Sequence, residues 1–390
     1  MSGRESILRL RAIWFFYLGG FGAVFPYMSV YLKEVKGLGE GEVGLVLSAL
    51  PLASLVARPI WGTVSDVTGR RSHIIAALCL VAGLLFWVFG RAEGFLPLVG
   101  GMLGAAFFAG AVVPLVTAAS FASLGAASQE LFGGVRLWGT VGFLIGMELV
   151  GSVPRLSPLS GDPLLGTAPF LWVAAGGVVL AGLVSLGLPA RGDLAVRAKA
   201  KEARGLLRSK EVLLVLAAAF LMHLAIQGPV QHLAILLRDL GGDVADIRNT
   251  WRGMLLVEIP LVGFSGRLTQ WLGARGLVRL GLAAEAVRWS VTAWAPGLLS
   301  VEMIQGLHGV GIAGIFLGMP LLLENRVPPH LRSSAQAYLA TVGTGLGAVF
   351  SNQIFGALLE RVGPRPPLFA SAGLCALLVV LLSRRFSRRG

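Results

Sequence analysis

Residues 62–71 read GTVSDVTGRR, and 204 positions further along the chain residues 266–275 read GRLTQWLGAR. Both stretches carry glycine at their first and eighth positions and arginine at their tenth. Internal repetition of this kind indicates duplication of a structural unit, so the chain is predicted to consist of two similar halves. Pro26 and Pro229 lie at nearly the same offset and predict breaks in corresponding helices of the two halves.

The composition places these halves in a membrane. Of the 390 residues, 55% are hydrophobic and 14% are charged, and the mean hydropathy is +0.77. Ordinary soluble domains carry roughly 25% charged residues. At about 20 residues per transmembrane helix, the chain has room for about twelve spans joined by short loops.

The predicted fold is an all-α integral membrane protein with twelve transmembrane helices in two pseudo-symmetric six-helix bundles. The bundles cover residues 1–190 and 211–390, and a basic linker covers residues 191–210. The apolar runs predict helices at residues 12–32, 42–64, 73–90, 95–121, 135–153, 168–188, 211–237, 250–272, 276–294, 299–323, 333–358 and 367–383.

The charge distribution predicts how the chain is oriented. The formal net charge of +13 lies between the apolar runs and not on a continuous basic face, which argues against nucleic-acid binding. Lys and Arg are concentrated in cytoplasmic loops of membrane proteins. The linker, the Arg70–Arg71 loop and the basic tail at Arg388–Arg389 would then lie inside, opposite loops that contain acids such as Asp162. Both termini are therefore predicted to be cytoplasmic, in the inner membrane of the cell.

The loop after the second helix has the chemistry of a gating latch. Its carboxylate can accept charge-assisted hydrogen bonds that hold two helix groups together and break when the groups separate. The predicted latch comprises two helix-breaking glycines, an acid and nearby arginines: Gly62, Asp66, Gly69, Arg70, Arg71 and Arg58. An ordinary positive-inside loop is the alternative, and Arg58 could instead contact a neighbouring helix or extend to the interface.

The same loop resembles the major facilitator superfamily, whose pattern in this position is G-x-L-x-D-R-x-G-R-R. The chain departs from that pattern at Val64 and Val67. Further stretches are similar to the lactose permease-like branch, which includes phenylpropionate permeases and nucleoside:proton symporters. They read GAVFPYMSVY (22–31), RLWGTVGF (136–143), WRGMLLVEIP (251–260), RW (288–289) and QGLHG (305–309). The resemblance implies a twelve-helix fold with a central cavity and import of a solute with a proton.

Charges inside apolar helices are candidates for proton coupling, because each costs a few kcal/mol or more unless it faces a cavity or a partner. Glu258 is the preferred proton carrier, since a carboxyl group in a dry site binds a proton more readily. Arg288 is its predicted partner, with a permanent structural ion pair as the alternative. His308 could relay protons or cross-link helices, and Glu148 could titrate or lie at the outer interface.

Polar side chains on three helices are predicted to line a substrate cavity. His223, Gln227 and Gln231 are spaced four residues apart and so share one helix face. The complete predicted lining is Tyr27, Tyr31, His223, Gln227, Gln231, Asn352 and Gln353. The glycines of the fifth helix, including Gly142 and Gly146, are predicted to allow close helix packing.

These features predict a secondary active transporter and not an enzyme. The chain has no phosphate-binding loop and no hydrolase or metalloprotease motif. Its two cysteines, Cys79 and Cys375, lie in apolar runs and argue against a disulfide framework or a metal site. The expected partners are protons, the bilayer and a sugar, nucleoside or aromatic acid, carried by a monomer that uses the proton gradient and no cofactor.

Two other functions stay open. The first is proton-antiport efflux of drugs or metabolites, although Phe143 follows the fifth-helix glycine where drug antiporters of the superfamily usually carry proline. The second is a non-transporting sensor on the same fold.

Overall fold

The computed structural model describes residues 3–125, 128–157, 159, 168–188, 200–295, 297–328 and 331–385, and the secondary structure of this part of the chain is helical. Residues 191–199 of the predicted linker, together with Asp162 and the tail at Arg388–Arg389, lie outside the described residues. The chain divides into two compact units. The first comprises residues 1–38 and 45–195, and the second comprises residues 39–44 and 196–390.

The helices follow the apolar runs closely. Those that begin before the linker are α1 (Gly3–Val24), α2 (Met28–Val30), α3 (Glu40–Thr68), α4 (Arg71–Arg91), α5 (Phe95–Ala109), α6 (Val112–Leu124), α7 (Ser128–Ser152) and α8 (Pro169–Ser185). The remaining helices, the first of which lies inside the predicted linker, are α9 (Ala200–Gly205), α10 (Lys210–Gln231), α11 (Leu233–Asp239), α12 (Val244–Gly263), α13 (Ser265–Trp294), α14 (Leu298–Ile304), α15 (His308–Glu324), α16 (Arg332–Ala340), α17 (Ala348–Val362) and α18 (Arg365–Arg385). π-Helical turns at Tyr31–Val35 and Thr341–Gly347 extend α2 and join α16 to α17.

Within the described residues, nine helices are long and apolar enough to cross a membrane. The shorter apolar helix α8 and the more highly charged α12 and α13 add three further segments, which is consistent with the twelve predicted spans. Large apolar side chains such as Leu84 and Leu183 stay exposed on the outside of these helices. A lipid environment accounts for that exposure, since a soluble protein would hide a surface of this kind.

Glycines bring α1 and α7 into backbone contact in the first unit. A methyl group on Gly142 would collide with the carbonyl oxygen of Phe15, and one on Gly146 would collide with that of Gly19. The predicted close packing of this helix is therefore confirmed. In the second unit, Gly281 and Gly314 play the same part where α13 crosses α15.

The predicted breaks in the two halves differ in detail. Pro26 lies in the turn between α1 and α2, as expected for a residue that lacks an N–H and crowds the preceding turn. Pro229 lies inside α10, and the helix turns only at His232, before α11. Gly69 and Gly273, 204 positions apart, both have left-handed backbone angles, with φ of 64° and 63°.

Two predicted helix boundaries are wrong. The eighth helix was expected at residues 250–272, but α12 starts at Val244, because a capping box formed by Asp243 and Asp246 starts the helix upstream of the apolar run. It ends at Gly263, and residues 265–272 continue as helix up to the non-helical Gly273, which divides α13 and lies between the predicted eighth and ninth helices. Gly62 was expected to break a helix, but α3 continues through it to Thr68. An isolated glycine inside a long helix costs only about 1 kcal/mol, which the surrounding packing outweighs.

The capping box gives a test of this boundary. The Asp243 carboxylate accepts hydrogen bonds from the backbone N–H groups of Ala245 and Asp246, at 2.7 and 3.0 Å. The bond from the Asp246 N–H is the main cause that lowers the pKa of Asp243. The carboxylate therefore stabilises the fold above the unfolded-state pKa of about 3.9, and this contribution disappears as the pH falls through the lowered folded-state pKa.

We expect Asp243→Ala to cost about 1 kcal/mol at neutral pH, measured by equilibrium unfolding in detergent. Asp243→Asn is the matched control, because it keeps a good N-cap and removes the titrating group. It should stay close to wild type at neutral pH and lose less stability on acidification. An Asp243→Ala protein as stable as wild type would show that the cap does not set the start of α12.

Candidate functional site

A sealed polar cluster, referred to below as the Arg288 cluster, joins α13 to the start of α15 in the second unit. It consists of Glu285, Arg288, Thr292, Gln305 and His308. Arg288 is 0% exposed, and its Nη1 donates to both carboxylate oxygens of Glu285, at 3.2 and 3.1 Å. Its Nε donates to Oε1 of Gln305 at 2.6 Å. The one formal positive charge of this cluster is thus balanced by one buried carboxylate.

The hydrogen bonds define the protonation state of His308 and the partners of Gln305 and Thr292. Arg288 Nη1 lies 2.9 Å from Nδ1 of His308. Because an arginine only donates, Nδ1 must accept, which places the imidazole proton on Nε2 and makes His308 neutral. The amide nitrogen of Gln305 donates to the Thr292 hydroxyl at 3.1 Å, and that hydroxyl donates to the Arg288 carbonyl at 2.8 Å.

Local sequence spacing builds the Arg288 cluster. Glu285 and Arg288 are three residues apart on α13, so their side chains are neighbours on one helix face. A single 3₁₀ turn at Gln305–Leu307 separates α14 from α15 and brings Gln305 beside His308. Gly311 leaves the space that the Glu285 carboxylate occupies, since a methyl group there would collide with Oε1.

Two tryptophans enclose the cluster. The Arg288 guanidinium carbon lies 4.1 Å from the ring centroid of Trp289, which is 0% exposed. The Trp251 ring on α12 meets the His308 ring edge to face, with centroids 6.1 Å apart. The Trp289 contact stabilises the Arg288 cation.

The expected Glu258–Arg288 pair is not formed. Arg288 Nε and Nη1 are bonded as described, and Nη2 makes no hydrogen bond within the described residues, so Glu285 is the carboxylate that holds this arginine. Glu258 is half-buried on the neighbouring helix α12. The reason is proximity, because Glu285 is one turn from Arg288 on the same helix. Glu285, Gln305 and Thr292 were missed as site residues, although the E-x-x-R and Q-x-x-H spacings pointed to the first two.

Glu258 nevertheless lies next to the cluster. It shares the buried face of α12 with Trp251 and Met254, seven and four residues earlier. A methyl group on Gly309 would lie 2.6 Å from the Glu258 backbone nitrogen, so α12 crosses α15 at this point, one residue after His308.

The predicted cavity residues fall into two groups. Tyr27 and Tyr31 are buried in the first unit, where their hydroxyl groups donate to the carbonyl oxygens of Met147 and Gly90, at 3.0 and 3.4 Å. Both hydroxyl groups are therefore engaged by backbone. Glu148, on α7, is half-buried in the same unit.

The remaining predicted cavity residues lie on α10 and α17, which pack together in the second unit. Ser351 links the two helices, because its hydroxyl accepts from the Gly228 N–H and donates to the Leu224 carbonyl, both at 2.7 Å. The residues brought together are the buried Gln231 and Asn352 and the half-buried His223, Gln227 and Gln353. Their role as a lining stays a prediction.

The predicted latch is partly assembled. Asp66 Oδ1 lies 3.7 Å from Nη2 of Arg71, and Gly69 provides the left-handed turn between them. Arg70 is exposed. Arg58 is not part of the latch: it lies eight residues before Asp66, about 12 Å along the helix, and its Nε donates to the Gly110 carbonyl oxygen at 3.4 Å. Of the alternatives for Arg58, contact with a neighbouring helix is the one observed.

Comparison with known proteins identifies the family. The sequence profile of the MFS_1 like family matches residues 7–369. The chain belongs to the MFS_1 like family. A maltose permease of Geobacillus stearothermophilus is 29% identical over 99% of this chain and 96% of that protein. A probable 3-phenylpropionic acid transporter of Escherichia coli strain K12 is 26% identical over 76% of each.

Solved structures confirm the fold of this MFS_1 like protein. A mutant of the nucleoside transporter NupG superposes with a TM-score of 0.84 over 97% of this chain and 99% of that chain, at 16% identity. The predicted all-α membrane fold of the major facilitator superfamily is thus confirmed, as is the resemblance to the permease branch. The protein is a multi-pass membrane transporter of small solutes and not an enzyme.

Proposed function

We propose that the protein imports a small organic solute together with a proton. Support comes from the crossing of α12 and α15, where Glu258, the half-buried carboxylate, lies beside the sealed Arg288 cluster. In this proposal Glu258 exchanges protons with water, whereas Glu285 is held by Arg288 and shielded from solvent. The relatives named as a maltose permease and a 3-phenylpropionic acid transporter support a sugar or an aromatic acid as solute; a nucleoside remains the third class.

In this proposal, the Arg288 cluster responds to protonation through His308. In its present state one positive and one negative charge cancel, and His308 is neutral. A proton that reaches His308 must displace the hydrogen bond from Arg288 to Nδ1, because Nδ1 cannot accept that bond and hold a proton. Protonation next to the α12–α15 crossing would thus free Arg288 to rearrange, which couples proton binding to movement between helices.

The orientation and the latch belong to the same proposal. Both termini lie in the cytoplasm of a cell whose inner membrane holds the protein, in accord with the cationic loops. The Asp66–Arg71 contact then lies on the cytoplasmic side and opens during alternating access. Glu148 serves as a second titrating group in the first unit.

Transport by proteoliposomes tests the proposal. Purified protein is reconstituted, and maltose, uridine and 3-phenylpropionate are each added outside while the external pH is recorded. A transported solute is expected to make the outside more alkaline, because protons enter with it. In Glu258→Gln, exchange of labelled solute across the membrane should continue while accumulation driven by a pH gradient is lost, because the amide cannot release a proton.

Glu202→Gln is the matched control, an exposed carboxylate in the second unit that should leave accumulation unchanged. Acidification of the outside would instead indicate efflux by antiport, and solute entry without any proton movement would indicate a uniporter. Full gradient-driven accumulation in Glu258→Gln would show that another group carries the proton.

A further inference from the structure

Arg58 is a cation inside an apolar helix that has no carboxylate partner among the described residues. It lies ten residues before the end of α3, about 15 Å along the helix axis, and is half-buried. Its hydrogen bond goes to the Gly110 carbonyl oxygen, and no described Asp or Glu lies within the 4.0 Å that defines an ion pair. It differs in this respect from Arg288, whose charge is neutralised by Glu285.

The surroundings of Arg58 form a polar site at the break between α5 and α6. This break interrupts the span Phe95–Leu124 near its middle, at Gly110. The Tyr17 hydroxyl donates to the Ala109 carbonyl at 2.6 Å, and Arg58 Nε donates to the carbonyl of the next residue, Gly110. Tyr17 of α1 and Arg58 of α3 thus both reach backbone carbonyls at the break between α5 and α6. The break lies at the depth at which transporters of this architecture bind their solutes.

Ser54 completes this site. It is four residues before Arg58 and therefore on the same face of α3. Its Oγ lies against Gly110, since a methyl group on that glycine would collide with it. The absence of a side chain at Gly110 is what lets Ser54 approach the break.

The carbonyl bond satisfies only part of the guanidinium. Arginine carries five N–H donors, and the Nε donor is the one used. The donors on Nη1 and Nη2 make no hydrogen bond to a described residue. A carbonyl dipole also leaves the full positive charge in place, and an unbalanced cation at this depth is costly. Both the charge and the geometry of the remaining donors favour an anionic group with two acceptor oxygens.

We infer that Arg58 is the docking point for a carboxylate of the transported solute, held in the first unit by the Nη donors beside Tyr17 and Ser54. The inference rests on the proposed transport function, because the ligand is taken to be the transported solute. It narrows the solute to a molecule with an acidic group, such as an aromatic acid or a sugar acid. A bound chloride ion would share the charge but, as a single atom, would not use the planar fork of donors.

Binding to purified protein in detergent tests the inference without any proton gradient. The probes are matched pairs that differ in one charge: glucuronate and glucuronamide, and 3-phenylpropionate and 3-phenylpropionamide, with sodium chloride as inorganic anion. Each is titrated while the midpoint of thermal unfolding is recorded, which gives an apparent Kd. At least one carboxylate is expected to raise the midpoint more than its amide does. Arg58→Gln should weaken that carboxylate about tenfold or more.

Two further variants keep the result interpretable. Arg91→Gln removes an exposed arginine that stacks on Trp87, and it should not change the carboxylate affinity. Arg58→Lys keeps the charge and loses the fork, so it should bind the carboxylate less tightly than wild type; it decides the question if Arg58→Gln does not fold.

Several outcomes would overturn the inference. These are no stabilisation by any carboxylate, equal stabilisation by an amide, undiminished carboxylate binding in the Arg58 variants, or a chloride effect that reproduces the whole shift. Because no gradient enters this assay, such a result would leave proton symport standing. Conversely, if the Glu258→Gln protein still accumulated solute in response to a pH gradient, the role of Glu258 would be contradicted, but carboxylate binding at Arg58 would be unaffected.

Discussion

Glu285→Ala is expected to destabilise the folded protein by about 3–5 kcal/mol, because it leaves Arg288 buried without a counter-charge. Arg288 is 0% exposed and stacks on Trp289, so bulk water does not solvate its charge once the carboxylate is gone. The measurement is the free energy of unfolding in detergent or mixed micelles. Loss of folded, monodisperse protein on purification would be the extreme form of the same effect.

The control for this prediction is a protein without either charge, Glu285→Met with Arg288→Met. Replacing both members of a buried ion pair by apolar residues of similar size is often close to neutral. Here a residual cost of about 1–3 kcal/mol is expected, because Gln305 Oε1 and His308 Nδ1 lose their donor. The double variant should therefore be more stable than Glu285→Ala. If it is less stable, the hydrogen bonds from Arg288 to Gln305 and His308 contribute more than the balance of charge does, and the charge-balance explanation fails.

Gly142→Leu is expected to destabilise the first unit by about 3 kcal/mol, the upper part of the usual range for overpacking. The new side chain would meet the backbone carbonyl of Phe15, which cannot turn away as a side chain could, so α1 and α7 must move apart. Thermal unfolding in detergent measures the effect. A reduced transport rate should accompany it.

Gly134→Leu is the matched control on the same helix. Gly134 is exposed, and a methyl group there meets nothing within 4 Å. Leucine has the higher helix propensity, so this variant should be unchanged or more stable by up to about 1 kcal/mol. Equal destabilisation by both substitutions would mean that the helix interior, and not the contact with α1, is sensitive to leucine.

Properties that depend on neighbouring residues could be predicted from the amino-acid sequence. Hydropathy located the spans, since each must cross the same apolar layer. Pro26 interrupts the first span because its ring and missing N–H act on the adjacent turn. The Asp66–Arg71 contact, at 3.7 Å, joins residues separated by one turn of chain. Gly142 was expected to be a packing residue, and the contact with Phe15 bears this out.

Features that depend on where separate helices meet could not be predicted in this way. Arg288 could have paired with Glu258 or with Glu285, and only the crossing of α13 with α15 shows that Gln305, His308 and Glu285 take up its donors. Arg58 looked like part of the latch because it is close to Asp66 in sequence. Its side chain instead reaches the Gly110 carbonyl, which is exposed by a helix break 52 positions away.

The two related stretches at residues 62–71 and 266–275 were enough to predict two similar halves, and they share a left-handed glycine at Gly69 and Gly273. Repetition, apolar length and turn geometry are carried by consecutive residues and can be read without knowing any distant contact. Whether a buried charge is balanced cannot be read from consecutive residues, because a buried ion pair forms only where helix packing brings acid and base within a few ångströms and excludes water. Tertiary structure alone therefore separates Arg288, whose charge is neutralised by Glu285, from Arg58, whose described hydrogen bond goes to a backbone carbonyl.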